Sequence, residues 1–232
     1  MTLNTVLKQL HDLAKPENVL FKQKKFGIVS NNAIGIYHKD LKVLAKEIGQ
    51  NDALAIALFN TNIYEARLLC SKLHSTKTLT NTLLEQWVVT FENWEITDSF
   101  AMGLVAKSTF AVPKILEWTN RNAEFEKRAG FATMAAYCMA DKLADNNIFK
   151  NFLSIIEANA NDERLYVKKA VNWALRNIGK RNKDLKKLAI ASANTIANNT
   201  TKSAQWISKN ALKELQSKTS NSFDYPRAIY RA

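Results

Sequence analysis

Apolar residues recur every three or four positions along most of the chain, and short polar breaks separate one such stretch from the next. Leu3–Ala14 reads as a helix, and Pro16 suits the first position of a second that ends at Gly27. Gly27–Gly35, GIVSNNAIG, is the clearest loop. Lys39–Ile48 is amphipathic and closes at Gly49. Asn51 can cap Asp52–Phe59, and Asn62 precedes Ile63–Leu73. Further helices are predicted from Thr78 to about Glu92, over Trp94–Lys107 behind an Asn93 cap, and over Pro113–Thr119. Asn122 precedes Ala123–Lys142, Asn147 precedes Ile148–Asn159, and Asp162 precedes Glu163–Arg181. Asn182 precedes Lys183–Asn198, and Lys202–Lys218 is the last helix. From about 219 the chain has a proline and no period, so an irregular tail is expected.

No stretch alternates with period two over more than a few residues. With 6 Gly and 3 Pro the chain also lacks the turn residues that many hairpins require. Helix pairs recur weakly at ~35–45 residues, the range of HEAT-type units. The expected fold is all-α: a curved α-solenoid of HEAT-like helical repeats, an α-α superhelix. A single domain over 1–232 is expected, because no linker marks a boundary.

Charge narrows the partner. Against 21 Asp and Glu stand 33 Lys and Arg, a formal surplus of +12 in 232 residues. Such a surplus collects polyanions. Nucleic acid is the first candidate and an anionic membrane surface the second; the bland alternative is that the lysines only aid solubility. No run approaches the ~18–20 apolar residues of a membrane helix. The start, MTLNTVLKQLHDLAK, has no basic opening and no cleavage site, so no signal peptide is read and a cytoplasmic protein is expected. Two cysteines exclude a disulfide framework and a cysteine-rich zinc site, and Cys70 and Cys138 read as core thiols. His11, His38 and His74 are scattered without metal spacing. No phosphate-loop, dinucleotide or zinc-protease motif occurs, so neither metal nor cofactor is expected.

Two helices carry candidate chemistry. On a wheel, Val167, Ala170, Val171, Ala174 and Ile178 form a core stripe. Opposite lie Lys169, Trp173, Arg176 and Lys180, with Trp173 the single apolar residue on a basic face. Cations for phosphates and a flat ring for sugar or base suit a nucleic-acid groove; alternatively, Trp173 packs on a neighbouring helix. On Trp94–Lys107, Trp94, Asp98, Ala101 and Val105 share a row, with Ile96, Phe100, Gly103 and Leu104 opposite. A carboxylate there is costly unless it is paired, hydrated or used; alternatively, it is an early-turn Asp favoured by the helix dipole. On Glu124–Asp141, Phe125, Ala129, Ala132, Ala136 and Met139 form a packing stripe with Arg128 at its edge. Arg128 there either snorkels or reaches a phosphate or carboxylate.

These elements in this order resemble the bacterial DNA alkylation-repair glycosylases of the AlkD type, built from HEAT-like repeats. The resemblance spans roughly 15 to 215. It rests on Asn93-Trp94-Glu95-Ile96-Thr97-Asp98, on Lys127-Arg128-Ala129, and on Lys168-Lys169-Ala170-Val171-Asn172-Trp173-Ala174-Leu175-Arg176. Ala33-Ile34-Gly35-Ile36 followed by Leu41 is similar to the family's first repeat. The resemblance implies a monofunctional glycosylase that hydrolyses the N-glycosidic bond of cationic N3- or N7-alkylated purines in duplex DNA. The catalytic Asp would fall on Asp98, the two lesion-side Trp residues on Trp94 and Trp173, and DNA-contacting Arg residues on Arg128 and Arg176. Lys169 and Lys180 would add phosphate contacts. The family's groove Tyr has no match; Phe21 is nearest by spacing and lacks the hydroxyl, and the Gly27–Gly35 loop is longer than usual. Alkylated duplex DNA is the expected partner of a monomer. Two rivals share the charge: a non-catalytic solenoid that binds duplex or branched DNA, and a protein-interaction scaffold.

Overall fold

The structure is a computed structural model that describes residues 1–220 and 222–226. Among the described residues there are thirteen α-helices, one 3-10 turn and no strand. In the compact unit Met1–Thr109 these are α1 (Leu3–Leu13), α2 (Pro16–Phe26), α3 (His38–Ile48), α4 (Asp52–Asn60), α5 (Tyr64–Leu73), α6 (Asn81–Val88) and α7 (Trp94–Gly103). A second unit, Phe110–Ala232, holds α8 (Ala111–Trp118), α9 (Glu124–Ala140), α10 (Asn146–Asn159), α11 (Leu165–Gly179), α12 (Lys183–Ala197) and α13 (Lys202–Leu215). The all-α expectation is met. No helix among the described residues is long and apolar enough to cross a membrane.

In the first unit α5 is the hub. Helices α3, α4 and α7 pack on it, and every one of its residues except Lys72 is buried. That burial includes Glu65, whose carboxylate accepts N–H bonds from Ile34, Gly35 and Ile36 at 2.8–3.2 Å. It thereby ties down the end of the long loop after α2. Gly35 is required there: its φ is +86°, and a Cβ would sit 2.0 Å from the Lys15 carbonyl oxygen. The cap of α4 is Asn51, as its sequence suggests, accepting from the Leu54 N–H.

Helix α7 ends at Gly103, short of the Lys107 expected from periodicity, and Val105–Lys107 is a 3-10 turn. Close packing explains the stop. A Cβ on Gly103 would lie 2.7 Å from the Ser71 carbonyl oxygen of α5, so the two backbones meet where the helix gives way. Helix α6 is likewise shorter than the Thr78–Glu92 expectation. Thr80, accepting from the Leu83 N–H, is its cap.

In the second unit α9 packs between α8 and α11, and α11 also meets α12 and α13. Val167, Ala170, Val171, Ala174 and Ile178 are all fully buried, as the wheel requires. The stripe expected on α9 is only partly right. Ala129 and Ala132 are buried, but Met139 is exposed, and Phe131, Met134, Ala135 and Cys138 are buried as well. Flanked by two helices, α9 has no single core face. Both thiols are buried and free, and burial pushes Cys138 up to about 12.

Residues 222–225 form no helix, as expected for the tail. Phe223 and Tyr225 donate their N–H groups to the carbonyls of Lys180 and Arg181. Arg181, fully buried, donates to the carbonyls of Asp141 and Ala144 and lies 4.0 Å over the Phe149 ring. The rest of the expected tail, Asn221 and 227–232, lies outside the described residues.

Candidate active site and nucleic-acid interface

Helix α7 begins under strong local control. Asn93 caps it by accepting from the N–H groups of Glu95 and Ile96, and its amide donates to the Val29 carbonyl at 3.0 Å. One side chain therefore sets the helix start and anchors the loop between α2 and α3. Trp94 adds a second tie, its indole N–H donating to the Phe26 carbonyl at 2.9 Å. Trp94 and Asp98, one turn apart, are both half-buried and line one cleft of about 450 Å³. Asp98 is the fifth residue of the helix, beyond the first turn in which the dipole favours an acid. The dipole reading of Asp98 therefore weakens.

Beneath the cleft lies a buried polar cluster. Lys22 of α2 meets the Glu95 carboxylate at 2.6 Å, with both side chains largely removed from water. The Tyr64 hydroxyl donates toward Glu95 at 2.8 Å and toward Asn93 at 2.9 Å. Burial and the Glu95 charge push that hydroxyl's pKa far above its usual value, so it stays protonated. His38, 3.5 Å from Glu95, is held below its ordinary pKa of 6.5, by burial first and then by the Lys72 charge, against the pull of Glu95. The cluster fixes the start of α7, and hence the direction in which Trp94 and Asp98 project.

Phe21 belongs to the same unit. It is 44% exposed, packs edge-on against Phe26 at 5.9 Å, and has Lys25 Nζ 5.1 Å from its ring centroid. Because the Phe26 carbonyl receives the Trp94 indole, this aromatic pair adjoins the Trp94 end of α7.

In the second unit, Trp173 is half-buried and Lys169 exposed on α11. Arg176 and Lys180 are both ion-paired to Glu214 of α13, and these cations hold the Glu214 carboxyl below its ordinary range against the effect of burial. The basic face read from the wheel thus has an acidic counterpart on the next helix, which a single-helix wheel does not include. Arg128 is only 6% exposed, and one of its N–H groups donates to the Tyr166 carbonyl at 2.6 Å. It does not snorkel at an edge; its guanidinium joins α9 to α11.

A family model described as "DNA alkylation repair enzyme" matches residues 6–215. The chain belongs to the DNA alkylation repair enzyme family. Among solved structures, one described as a new family of proteins related to the HEAT-like repeat DNA glycosylases, with affinity for branched DNA structures, is similar to it. That match has a TM-score of 0.75 at 17% identity and covers 97% of this chain and 99% of the other. It shows a shared HEAT-like fold. No curated protein matches the chain in sequence.

For this family member, the structure brings Trp94 and Asp98 into one cleft of the first unit, with Phe21 near the Trp94 end. It places Trp173, Lys169, Arg176, Lys180 and Arg128 in the second. Reasoning from sequence missed Lys22, Tyr64, Glu65 and Glu214. One signal was available for the α5 pair: Tyr64 and Glu65 open a helix whose other positions are mostly apolar. Lys22 and Glu214 lie on helices that read as ordinary charged surface.

Proposed function

We propose that the chain is a DNA glycosylase that hydrolyses the N-glycosidic bond of cationic N3- or N7-alkylated purines in duplex DNA. The observation that carries this reading is the Trp94–Asp98 pair in one cleft, aimed by the Asn93 cap and the buried Lys22–Glu95–Tyr64 cluster. Alkylation makes the purine a cationic leaving group, so departure needs no strong general acid. Positive charge grows on the deoxyribose as the bond breaks. A fixed carboxylate beside the sugar favours that state over the ground state, and in this reading Asp98 supplies it. Water then adds to C1′ and its proton is lost, leaving an abasic sugar and the neutral free base. The Trp94 ring presents a negative face to the cationic nucleotide. Release of 7-methylguanine from methylated duplex DNA, followed by chromatography under single turnover, tests the reading; no release above the spontaneous rate rejects it.

In the second unit we assign Trp173, Lys169, Arg176 and Lys180 to gripping the backbone, and Arg128, buried against the Tyr166 carbonyl, to holding α11 in place for them. Lys169→Ala is expected to lower the salt slope of duplex binding by about 0.9. Arg176→Ala and Lys180→Ala are expected to lower it less, because Glu214 already neutralises part of their charge, and Glu214→Gln is expected to raise it. Equal slopes across these variants in a NaCl titration would remove DNA from this face.

A second reading, a binder of branched DNA without excision, is favoured by the description of the similar solved structure. It predicts four-way-junction binding that is indifferent to alkylation.

A further inference from the structure

Among the described residues that line the Asp98 cleft, lysines outnumber acids. Glu95 is committed to Lys22, and His38 is shifted toward its neutral form. Among the described residues that line the cleft, Lys42 of α3, Lys72 of α5 and Lys107 of the 3-10 turn bring three ammonium groups from three segments, and Asp98 is the carboxylate beside Glu95. Lys72 is the sole residue of α5 outside the core, and it is only half-exposed. Its pKa lies below the ordinary lysine value because of burial first, then the Lys42 charge; Glu95 acts the other way, and Lys107 lowers it further. Gathering like charges in a partly desolvated recess costs the fold stability. The same arrangement focuses positive potential where an anion can relieve it.

We propose that Lys42, Lys72 and Lys107 form a phosphodiester subsite that holds the DNA backbone next to the sugar facing Asp98. The proposal rests on the reading of this cleft as the reacting site and adds residues to it. A phosphodiester fits on two grounds. It is an anion that can share three separate ammonium donors, and it is joined covalently to the sugar that Trp94 and Asp98 would contact in the same recess. Lysines, as mobile point charges, suit a phosphate approached from several sides. The subsite positions the strand; it takes no part in bond breaking.

The test is binding without excision. A fluorescein-labelled duplex with a central tetrahydrofuran abasic site is titrated across a NaCl series with the unaltered chain, Lys72→Gln, Lys107→Gln and, as a control, the exposed Lys8→Gln. Thermal melts confirm that each variant is folded. Lys72→Gln and Lys107→Gln are each expected to weaken binding several-fold and to lower the salt slope by about 0.9, with Lys8→Gln unchanged. In protein with ¹³C-methylated lysines, the Lys72 resonance is expected to titrate at higher pH once duplex is bound. Slopes unchanged in both cleft variants, with a Lys72 resonance indifferent to duplex, overturn the subsite. So does polyglutamate that shifts Lys72 where duplex does not, which would assign the cleft to an acidic peptide. A chain that passes these tests yet releases no 7-methylguanine keeps the subsite and loses the glycosylase reading.

Discussion

Asp98→Asn is expected to bind alkylated duplex about as well as the unaltered chain and to release 7-methylguanine ~10²-fold or more slowly in single turnover. The substitution keeps the shape of the side chain and removes its charge. On the proposed mechanism that charge matters little in the ground state, where the purine still carries the positive charge. It matters most when the charge has moved to the sugar. The loss should therefore fall on the chemical step and leave affinity nearly intact, the pattern of an interaction made in the transition state. An unchanged release rate would reject Asp98 as the catalytic group, and a parallel loss of binding would make it a binding residue instead.

Lys22→Met is expected to destabilise the fold by ~3–5 kcal/mol, because it leaves the Glu95 carboxylate buried without its cation. Lys22 and Glu95 are both buried, and the Tyr64 hydroxyl is a neutral donor that does not replace a charge. Denaturant midpoints at constant slope measure the loss. Adding Glu95→Gln to Lys22→Met should recover most of it. The same variant should move His38. Its pKa is depressed partly by Lys22, so removing that charge raises it toward 6.5. The sign of the stability effect follows. A basic group with a lowered folded pKa favours the fold above its unfolded pKa and loses that contribution as pH falls through the folded value. Lys22→Met should therefore shrink the part of the acid destabilisation that His38 supplies. A stability loss under 1 kcal/mol, or an unmoved His38 resonance, would show that the cluster does not act as a unit.

The helical architecture was legible because its causes are local. Asn51, Asn93 and Asn182 were readable as caps, and each accepts N–H groups in the first turn of its helix. The core stripe of α11 followed from period alone. What escaped depends on two helices at once. The stop of α7 at Gly103 comes from the Ser71 carbonyl, which no property of α7 announces. The stripe on α9 fails for the same reason, because neighbours on more than one side bury more than one face. The start expected at Ile63 comes one residue early: Asn62 takes a left-handed φ of 60°, Ile63 is the N-cap, and α5 begins at Tyr64.

The candidate site divides along similar lines. Trp94 and Asp98 were readable because four residues on a helix fix a shared direction. Lys22 and Glu65 were not, since their partners lie about 73 and 30 positions away on other elements and the pairing depends on helix packing. Glu214 shows the opposite failure. The basic face of α11 was read correctly in residue type, but the acid that meets it is on α13. A single-helix wheel overstates a charged face whenever the next helix carries the counterion.

The most direct measurement of the central claim uses duplexes that mimic the charge and not the reaction. One carries a pyrrolidine in place of a deoxyribose, cationic at the position where charge develops; the other carries neutral tetrahydrofuran. The unaltered chain should prefer the cationic duplex at constant ionic strength, and Asp98→Asn should erase that preference while leaving tetrahydrofuran binding in place. Equal affinity for the two duplexes in the unaltered chain, or a preference that survives Asp98→Asn, would contradict the account.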